Sequence, residues 1–254
     1  ESLGLPKSGT AGNLITISTG QDASHNGIVI INPSYPTQDP FIAPGDLAYV
    51  HITGNVGGSQ HMQVGSGHYF WFNNPPKTIS NVRLSYIDFG ARTACLYFYP
   101  TSNVTGFEFD HNNLEKTAGG PDSTFENIGH NTADDLGYDA NLIHHNTLTI
   151  HNDLILGPDL VKWGNGISFY DNTVTVVSDG CGTVCGQHTD FFQYQMGHLK
   201  IYNNRFIGSA DQGIFISGFG TPATITGLLI YNNEFVANRG PGGVYDIFAL
   251  NMFA

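Results

Sequence analysis

Short apolar runs separated by glycine- and asparagine-rich turns recur along most of the chain. The clearest runs are Leu14–Ile17, Ile28–Ile31, Tyr49–Ile52, His68–Phe72 and Val174–Val177, which are rich in β-branched and aromatic residues. This composition and the partial alternation of apolar and polar positions are typical of strands. No stretch keeps the apolar spacing of an amphipathic helix. The pattern therefore predicts an all-β protein built from short strands.

The C-terminal half repeats one short phrase. It reads Phe169-Tyr-Asp-Asn172, then Ile201-Tyr-Asn-Asn204, then Ile230-Tyr-Asn-Asn233, with a weaker copy at Ile143-His-His-Asn146. The closing asparagines of these phrases follow one another at similar but unequal intervals. Repeats of about 20 to 50 residues indicate stacked supersecondary units. Because an asparagine side chain can bond the backbone of a neighbouring turn, we expect Asn172, Asn204 and Asn233 to form a ladder.

The N-terminal half carries a similar rhythm. Asn81–Ile87 resembles Asn103–Phe109, which predicts that Asn103 lies one short coil after Asn81. Lys116–Asp139 is polar and breaks the rhythm, so we interpret it as a long loop, the kind of segment that commonly carries function. Coils of two or three strands without helices fit a parallel β-helix, in which each coil stacks on the previous one.

We therefore predict a single parallel β-helix domain over residues 1–254. The sequence starts at Glu1 without a signal peptide and ends in a predicted strand at Ala254, so we expect the domain to be truncated at one or both ends.

Composition narrows the range of partners. The formal net charge is −12, with only nine Lys and Arg residues and no basic stripe, which argues against nucleic acid as a partner. No apolar run reaches the length of about 18 residues that a membrane span needs. A polyanionic substrate would be repelled unless a cation or a local basic pocket received it. The oligomeric state does not follow from the sequence.

Three cysteines are present. Cys95 lies in an apolar run and is interpreted as a small buried residue, whereas Cys181 and Cys185 lie in a glycine-rich loop. A disulfide between the latter two would indicate an oxidising, extracellular setting, and free thiols are the alternative.

Four segments have the appearance of β-helix coils, namely Leu199–Phe206, Asp211–Ser217, His188–Gln193 and the opening Gly9–Ile17. In these segments the chain resembles the pectate-lyase-like superfamily of right-handed parallel β-helices. The resemblance implies a right-handed β-helix that is secreted and acts on polysaccharide. The arginine pair around which the lyases of this group build their motifs is absent.

The coil around residue 190 supplies the first candidate site. Aligning the coils on their strands matches Phe192 with Ile214 as inward positions and places Gln193, Gln195 and Phe215 on an exposed outer face. Amides bond sugar hydroxyls and aromatic rings cover the apolar face of a sugar. We therefore predict a sugar-binding face there, flanked by loops at 116–139 and 178–187.

Two His-x-Asp phrases precede strands. His188-Thr-Asp190 would stack on His151-Asn-Asp153 one coil earlier, with His151 contributing to substrate binding. A column of carboxylates is costly unless it is paired or binds a cation, and calcium takes such oxygen clusters. The calcium ligands predicted on this basis are Asp153, Asp190, Asp134 and Asp135. Calcium is also what the superfamily resemblance implies, while Asx turns are the alternative interpretation.

The predicted reaction is cleavage of a uronic-acid-containing glycan by β-elimination, which needs a neutraliser, a base and an acid. His188 is the predicted base, oriented by Asp190, and Lys200 and Arg205 are the predicted base or carboxylate clamp. An inverting glycoside hydrolase is the second hypothesis, because Asn131–Asp135 loosely resembles the Asp-rich strand of polygalacturonase-like hydrolases. A non-catalytic carbohydrate-binding or adhesin β-helix is the third.

Overall fold

The computed structural model of the chain describes residues 3–4, 8–20, 22, 24, 27–31, 41–42, 45–65, 70–72, 78–92, 96–98, 100–117, 123–129, 135–152, 159–178, 190–193, 195–208, 212–215, 225–236 and 250–251. These residues form 27 strands. The first nine are β1 (Leu3–Gly4), β2 (Ile15–Ser18), β3 (Val29–Ile31), β4 (Phe41–Ile42), β5 (Leu47–Thr53), β6 (Asn55–Val56), β7 (Ser59–Gln60), β8 (Met62–Val64) and β9 (Phe70–Phe72). The next nine are β10 (Thr78–Ser85), β11 (Ile87–Arg92), β12 (Leu96–Phe98), β13 (Asn103–Asp110), β14 (Asn113–Lys116), β15 (Ser123–Glu126), β16 (Asn141–His144), β17 (Thr147–Asn152) and β18 (Asp159–Lys162). The last nine are β19 (Asn165–Tyr170), β20 (Thr173–Ser178), β21 (Asp190–Gln193), β22 (Met196–Tyr202), β23 (Arg205–Ile207), β24 (Gln212–Phe215), β25 (Ile225–Tyr231), β26 (Glu234–Val236) and β27 (Leu250–Asn251).

Most strands belong to three parallel sheets. The first sheet has the order β2-β5-β10-β13-β16-β19-β22-β25, the second β3-β8-β11-β14-β17-β20-β23-β26, and the third β9-β12-β15-β18-β21-β24-β27. From β8 to β27 the chain enters the second, third and first sheets in strict rotation. A short hairpin of β6 and β7 and a pair of β1 with β4 complete the described strands. The all-β prediction is confirmed for the described residues, and the parallel sheets are compatible with the predicted β-helix.

No helix occurs among the described residues, and accordingly none there is long and apolar enough to cross a membrane.

The three sheets share one apolar core. Phe109 of the first sheet contacts Phe89 of the second sheet, with ring centroids 5.5 Å apart, and Phe125 of the third sheet, with centroids 5.1 Å apart. Phe169 meets Phe192 of the third sheet edge to face at 5.3 Å. Each buried aromatic or branched side chain of this kind contributes about 1.5–3 kcal/mol of transfer free energy. The alternation along the strands therefore keeps one face of each sheet in the core.

The predicted asparagine ladder is confirmed, and it is longer than expected. Its rungs are Asn112, Asn146, Asn172, Asn204 and Asn233. Each side-chain oxygen after that of Asn112 accepts a hydrogen bond from the backbone N–H of the preceding rung, at 2.9–3.0 Å. Each rung's amide nitrogen also donates to a backbone carbonyl, as Asn172 does to Ile143 at 2.9 Å. The ladder satisfies backbone groups at the turn between the first and second sheets, where strand pairing is interrupted.

A left-handed residue precedes each rung of this ladder. The positions have φ between 53° and 56° and are His111, His145, Asp171, Asn203 and Asn232. Asparagine, aspartate and histidine are the non-glycine residues that tolerate this conformation best. This backbone requirement explains the composition of the repeated phrase, and it places imidazoles at adjacent turns.

The two similar phrases of the N-terminal half lie on β10 and β13, which are adjacent, paired strands, as their spacing of about one coil predicts. The register differs by three residues from a direct alignment of the phrases, because Thr78 pairs with Asn103 and Arg83 pairs with Glu108. This register matches the buried Val82 and Leu84 with Phe107 and Phe109. In addition, the segment from residue 116 to 139 is not one loop, because it contains β15, whose Phe125 is fully buried in the core.

We expect Asn172→Ala to lower the free energy of unfolding by about 2–4 kcal/mol, because it leaves the buried Asn146 N–H and the Ile143 carbonyl without partners. Urea unfolding followed by circular dichroism measures this loss. Asn233→Ala, at the half-exposed end of the ladder, should cost less, and Asn13→Ala at an exposed turn should cost almost nothing. Equal costs at all three positions would contradict a structural role for the ladder.

Candidate functional site on the first sheet

The face of the first sheet that points away from the core carries two columns of polar residues. One column runs through Thr16, His51, Arg83 and Glu108 on adjacent strands. The second column lies two residues further along the same strands and is formed by Ser18, Thr53, Ser85, Asp110 and His144. Since side chains two apart share a face, the register gathers these groups on one surface.

Arg83 and Asp110 form the central ion pair. The guanidinium donates through Nε to Oδ1 at 2.8 Å and through Nη2 to Oδ2 at 2.7 Å, the paired geometry of a strong contact. His111 Nδ1 lies 2.8 Å from the same carboxylate, and Glu108 lies 3.4 Å from Arg83 Nε. Burial alone would raise the pKa of Asp110, but the hydrogen bonds from Arg83 and His111 outweigh it and lower that pKa. The hydrogen bond to Asp110 in turn raises the pKa of Arg83.

His51 lies beside Arg83 in a chain of hydroxyl contacts. Its Nε2 is 2.7 Å from the Ser85 hydroxyl, which donates to Thr53 Oγ1 at 2.9 Å. In the tautomer whose Nε2–H donates to Ser85, Nδ1 carries the lone pair and is an acceptor. Burial, together with the nearby positive charge of Arg83, lowers the pKa of His51. His51 is therefore a neutral base near neutral pH.

These groups line an open cleft of about 580 Å³. Its described lining residues are Thr16, Ser18, His51, Thr53, Asn55, Gly57, Gly58, Arg83, Ser85 and Tyr86. Arg83, whose side chain is 39% exposed, is the one formally charged residue among them, while the Asp110 side chain behind it is 0% exposed. The charged group that the cleft exposes is therefore the Arg83 guanidinium, and the carboxylate that balances it is buried behind it.

One wall of the cleft is held by the turns between sheets. Tyr86 stacks on His111 with ring centroids 4.5 Å apart, and His111 stacks on His145 at 4.8 Å. The hairpin of β6 and β7 is fixed on the same side, because Gln60 donates to the His111 carbonyl at 2.7 Å. The stacking on His111 therefore holds the Tyr86 phenol at the cleft.

The imidazoles behind this wall form a hydrogen-bonded pair. His144 Nε2 lies 3.1 Å from Glu108, and His144 Nδ1 lies 2.9 Å from His145 Nδ1. Burial and the neighbouring rings of His144 and His111 lower the pKa of His145. On the other side of His144, Tyr170 stacks at 4.6 Å, and burial raises the pKa of Tyr170 to about 12.

Glu108, Asp110 and His144 also have the spacing of metal ligands. Each offers one ligand atom, and the three atoms lie within 4.8 Å of one another. Two carboxylates and an imidazole are a donor set that metal ions use in proteins. The group is therefore a possible metal-binding cluster.

Two of the predicted site residues lie further along the same sheet. Lys200 on β22 forms an ion pair with Asp139, at 3.0 Å to Oδ1 and 3.1 Å to Oδ2. Asp135 lies 2.9 Å from Nδ1 of His198 on that strand. Lys200 is thus part of the first sheet and Asp135 contacts it through His198, whereas Asp190 belongs to the third sheet.

The structure contradicts the predicted exposed face on the third sheet. The pairing of Phe192 with Ile214 and of Gln193 with Phe215 is confirmed, but Gln193 and Gln195 are only 5% and 1% exposed. Gln195 donates to the backbone carbonyls of Val161 and Gln193, each at 2.9 Å. Strand alternation indicates which residues share a face, but it does not indicate whether other parts of the chain cover that face.

The predicted stacking of two His-x-Asp phrases is also wrong. His151 lies on the second sheet, 2.7 Å from Glu115, while Asp190 lies on the third. Asp159 is the residue beside Asp190, and its Oδ1 accepts the Asp190 backbone N–H at 2.9 Å. Arg205 lies on the second sheet as well, in an exposed pair with Glu234 at 3.1 Å. The spacing between the two phrases did not predict their positions, because the stretches of chain between successive strands of one sheet differ in length.

Several predicted residues lie outside the described part of the chain. They are His188, Asp153, Asp134, the three cysteines and the loop residues 179–187.

Sequence reasoning missed the cleft. The two phrases that contribute residues to the site, Arg83-Leu-Ser85 and Glu108-Phe-Asp110, are present in the sequence. Their pairing becomes visible only once the register of the two strands is known. The sequence shows Ile143-His-His-Asn146 as a repeat. Its two imidazoles became candidate site residues only when the pairing of Asp110 with His144 placed them beside the Asp110-His111 turn.

Comparisons with protein-family models, with curated proteins and with solved structures found no match to this chain.

We expect the pKa of His51, measured by ¹H–¹⁵N NMR of its ring, to lie below the ordinary histidine value. Arg83→Gln should raise this pKa, because it removes a positive charge and leaves the carboxylates of Asp110 and Glu108. Lys200→Gln, on the same face but five strands from His51, serves as the matched control and should leave the His51 pKa unchanged. An unaltered pKa in Arg83→Gln would refute the coupling.

Asp110 should make the free energy of unfolding depend on pH. Its folded-state pKa is below the unfolded value, so its contribution is complete above the unfolded pKa and is lost as the pH falls through the folded one. Asp110→Asn should lower the free energy of unfolding by about 1–3 kcal/mol at neutral pH and reduce the loss on acidification. Urea unfolding at several pH values measures both effects. Glu234→Gln, in the exposed pair with Arg205, should change little, and a flat difference across pH would contradict the assignment.

Proposed function

We propose that this chain is a secreted, right-handed parallel β-helix of the pectate-lyase-like kind that cleaves a uronic-acid-containing polysaccharide by β-elimination. The strict rotation of the chain through three parallel sheets supports the coiled architecture. Right-handed connection is the strong preference of parallel strands. The observation that carries the function is the cleft that holds His51, Arg83 and Tyr86 together.

Each of the three steps of β-elimination has a group in this cleft. Arg83 pairs with the uronate carboxylate and withdraws charge from it, which acidifies the adjacent C–H. Nδ1 of His51 takes that proton, and the electron pair forms a carbon–carbon double bond as the bond to the 4-linked oxygen breaks. The Tyr86 hydroxyl donates its proton to the leaving oxygen. The products are a new non-reducing end with an unsaturated uronate and a shortened chain.

The arrangement of charges favours this assignment over the residues predicted from the sequence. Asp110 holds the Arg83 guanidinium by two hydrogen bonds, so the cation is fixed in one orientation before substrate arrives. His51 keeps a lowered pKa beside it and stays unprotonated. His188 with Asp190 is the second candidate pair for the same reaction.

A hydrolase has less support. Inverting glycosidases need two carboxyl groups about 6.5–9.5 Å apart. Ligand oxygens of Glu108 and Asp110 lie within 4.8 Å of each other, and both Asp110 oxygens are occupied by Arg83. A non-catalytic glycan-binding β-helix is the remaining alternative, since the fold alone does not imply chemistry.

Calcium is the cofactor that the superfamily resemblance implies, but the cluster of Glu108, Asp110 and His144 does not suit it. Calcium prefers six to eight oxygen ligands, whereas this group has an imidazole nitrogen and only two carboxylates. The Arg83 guanidinium already contacts both carboxylates, so it supplies the positive charge there. The proposed reaction therefore has no step through calcium.

The proposed function predicts a rise in ultraviolet absorbance from unsaturated product when the protein is incubated with a panel of uronate polysaccharides. His51→Gln should reduce the rate by about 10²–10⁴-fold, because general-base catalysis is lost. His151→Gln, a histidine on the second sheet, is the matched control and should keep full activity. A chelator should leave the rate unchanged.

Three other outcomes would point to a different function or to a different site. New reducing ends without the absorbance change would establish a hydrolase. Binding without either product would establish a glycan-binding protein. Loss of activity in His151→Gln but not in His51→Gln would place the site away from the cleft.

A further inference from the structure

A second surface with sugar-binding chemistry lies on the first sheet at segment 135–140. The segment is bonded to two strands, β19 and β22, because the Leu136 N–H donates to Asn165 at 3.2 Å and the His198 N–H donates to the Leu136 carbonyl at 3.3 Å. The backbone N–H of Asp139 also donates to the Ser168 hydroxyl at 3.2 Å. These bonds hold the side chains of the segment against the sheet.

Lys200 and Asp139 present a donor and an acceptor side by side there. Their ion pair, at 3.0 and 3.1 Å, is supported by the Ser168 hydroxyl, which donates to Asp139 at 2.6 Å. Burial would raise the pKa of Asp139, but the Ser168 hydrogen bond and Lys200 outweigh it and lower that pKa. The two charges therefore cancel at neutral pH. Such a pair suits hydroxyl groups, each of which both donates and accepts, better than it suits a carboxylate.

Aromatic groups border this polar pair. Lys200 Nζ lies 5.5 Å from the centre of the Tyr138 ring and 5.6 Å from that of Tyr202. Tyr138 and His198 meet at 75° with centroids 4.4 Å apart, which forms an aromatic corner beside the pair. Tyr202 is stacked between Tyr170 and Tyr231, so its faces are covered and Tyr138 is the better platform. Polar groups beside an aromatic ring match the hydroxyls and the apolar C–H face of a sugar.

The corner and the cleft differ in the charged group that they expose. Lys200 lies four strands along the sheet from Arg83, a separation of roughly 19 Å at the spacing of β-strands. Both cations are paired with an aspartate, but the exposed partner differs. In the cleft the Arg83 side chain is 39% exposed and that of Asp110 is 0% exposed, whereas at the corner Lys200 is 18% exposed and Asp139 is 54% exposed. A glycan that reaches both positions must run across the strands and carry an acidic sugar at one and an uncharged sugar at the other.

We propose that Tyr138, His198, Lys200 and Asp139 form a subsite for an uncharged hexose, so that the substrate is a polymer containing both uronate and neutral sugars. The assignment of the uronate position rests on the proposed function. The subsite itself rests on the contacts of segment 135–140 and is testable without catalysis.

The test is an NMR titration that follows the ring signals of His198 and His51. The neutral probes are hexasaccharides of glucose, mannose and galactose. The acidic probes are oligomers of galacturonate, mannuronate and guluronate. We expect at least one neutral probe to shift the His198 signal and the acidic probes not to shift it. Tyr138→Ala should weaken that binding about tenfold, the effect of losing one aromatic contact, while Tyr138→Phe keeps it. Tyr97→Ala on the third sheet is the control for a tyrosine elsewhere.

No His198 response to any neutral probe overturns the subsite, as does an equal response to the acidic probes. A response that Tyr138→Ala leaves unchanged places the neutral sugar elsewhere and overturns it too. Lyase activity is read separately through the unsaturated product. A His198 response without that product supports the subsite and refutes only the proposed reaction.

Discussion

The structure depends on satisfying the backbone where the chain turns from the first sheet into the second. Parallel strands satisfy one another through their ladders, but the turn between sheets interrupts the ladder and leaves buried N–H and carbonyl groups. The asparagine side chains from Asn112 to Asn233 bond these groups from one turn to the next. Because each rung bonds the backbone of its neighbour, the ladder fixes the register of the turns that it joins.

This constraint also produces the chemistry of the outer face. The left-handed residue before each rung has to be one that tolerates positive φ, and histidine and aspartate are among the few. His111, His145 and Asp171 therefore lie at successive turns, next to the outward residues of the first sheet. The stacking of Tyr86, His111 and His145 follows from the same regular spacing. The left-handed backbone conformation at these turns thus favours residues whose side chains can titrate and form hydrogen bonds.

The scarcity of cations makes each one on this face informative. In a chain of net charge −12, Arg83 and Lys200 are each paired with an aspartate. Arg83 is the exposed member of its pair, because its side chain is 39% exposed and that of Asp110 is 0% exposed. Lys200 is the less exposed member of its pair, at 18% against 54% for Asp139. Which partner is exposed, and not the presence of the cation, therefore distinguishes the two surfaces.

The local pattern of the sequence determined the strands and the asparagine rungs at Asn172, Asn204 and Asn233, because turn chemistry and alternation depend on neighbours along the chain. It did not determine the register between Arg83 and Glu108, since the coils differ in length and the buried phenylalanines beside Glu108 decide the pairing. Nor did it reveal that Gln193 and Gln195 are buried, because alternation describes a face and not what covers it. Only the tertiary structure brought His51, Arg83 and Tyr86 into one cleft. They belong to different strands of the first sheet or to the turn that follows, and the parallel pairing of those strands is what makes them neighbours.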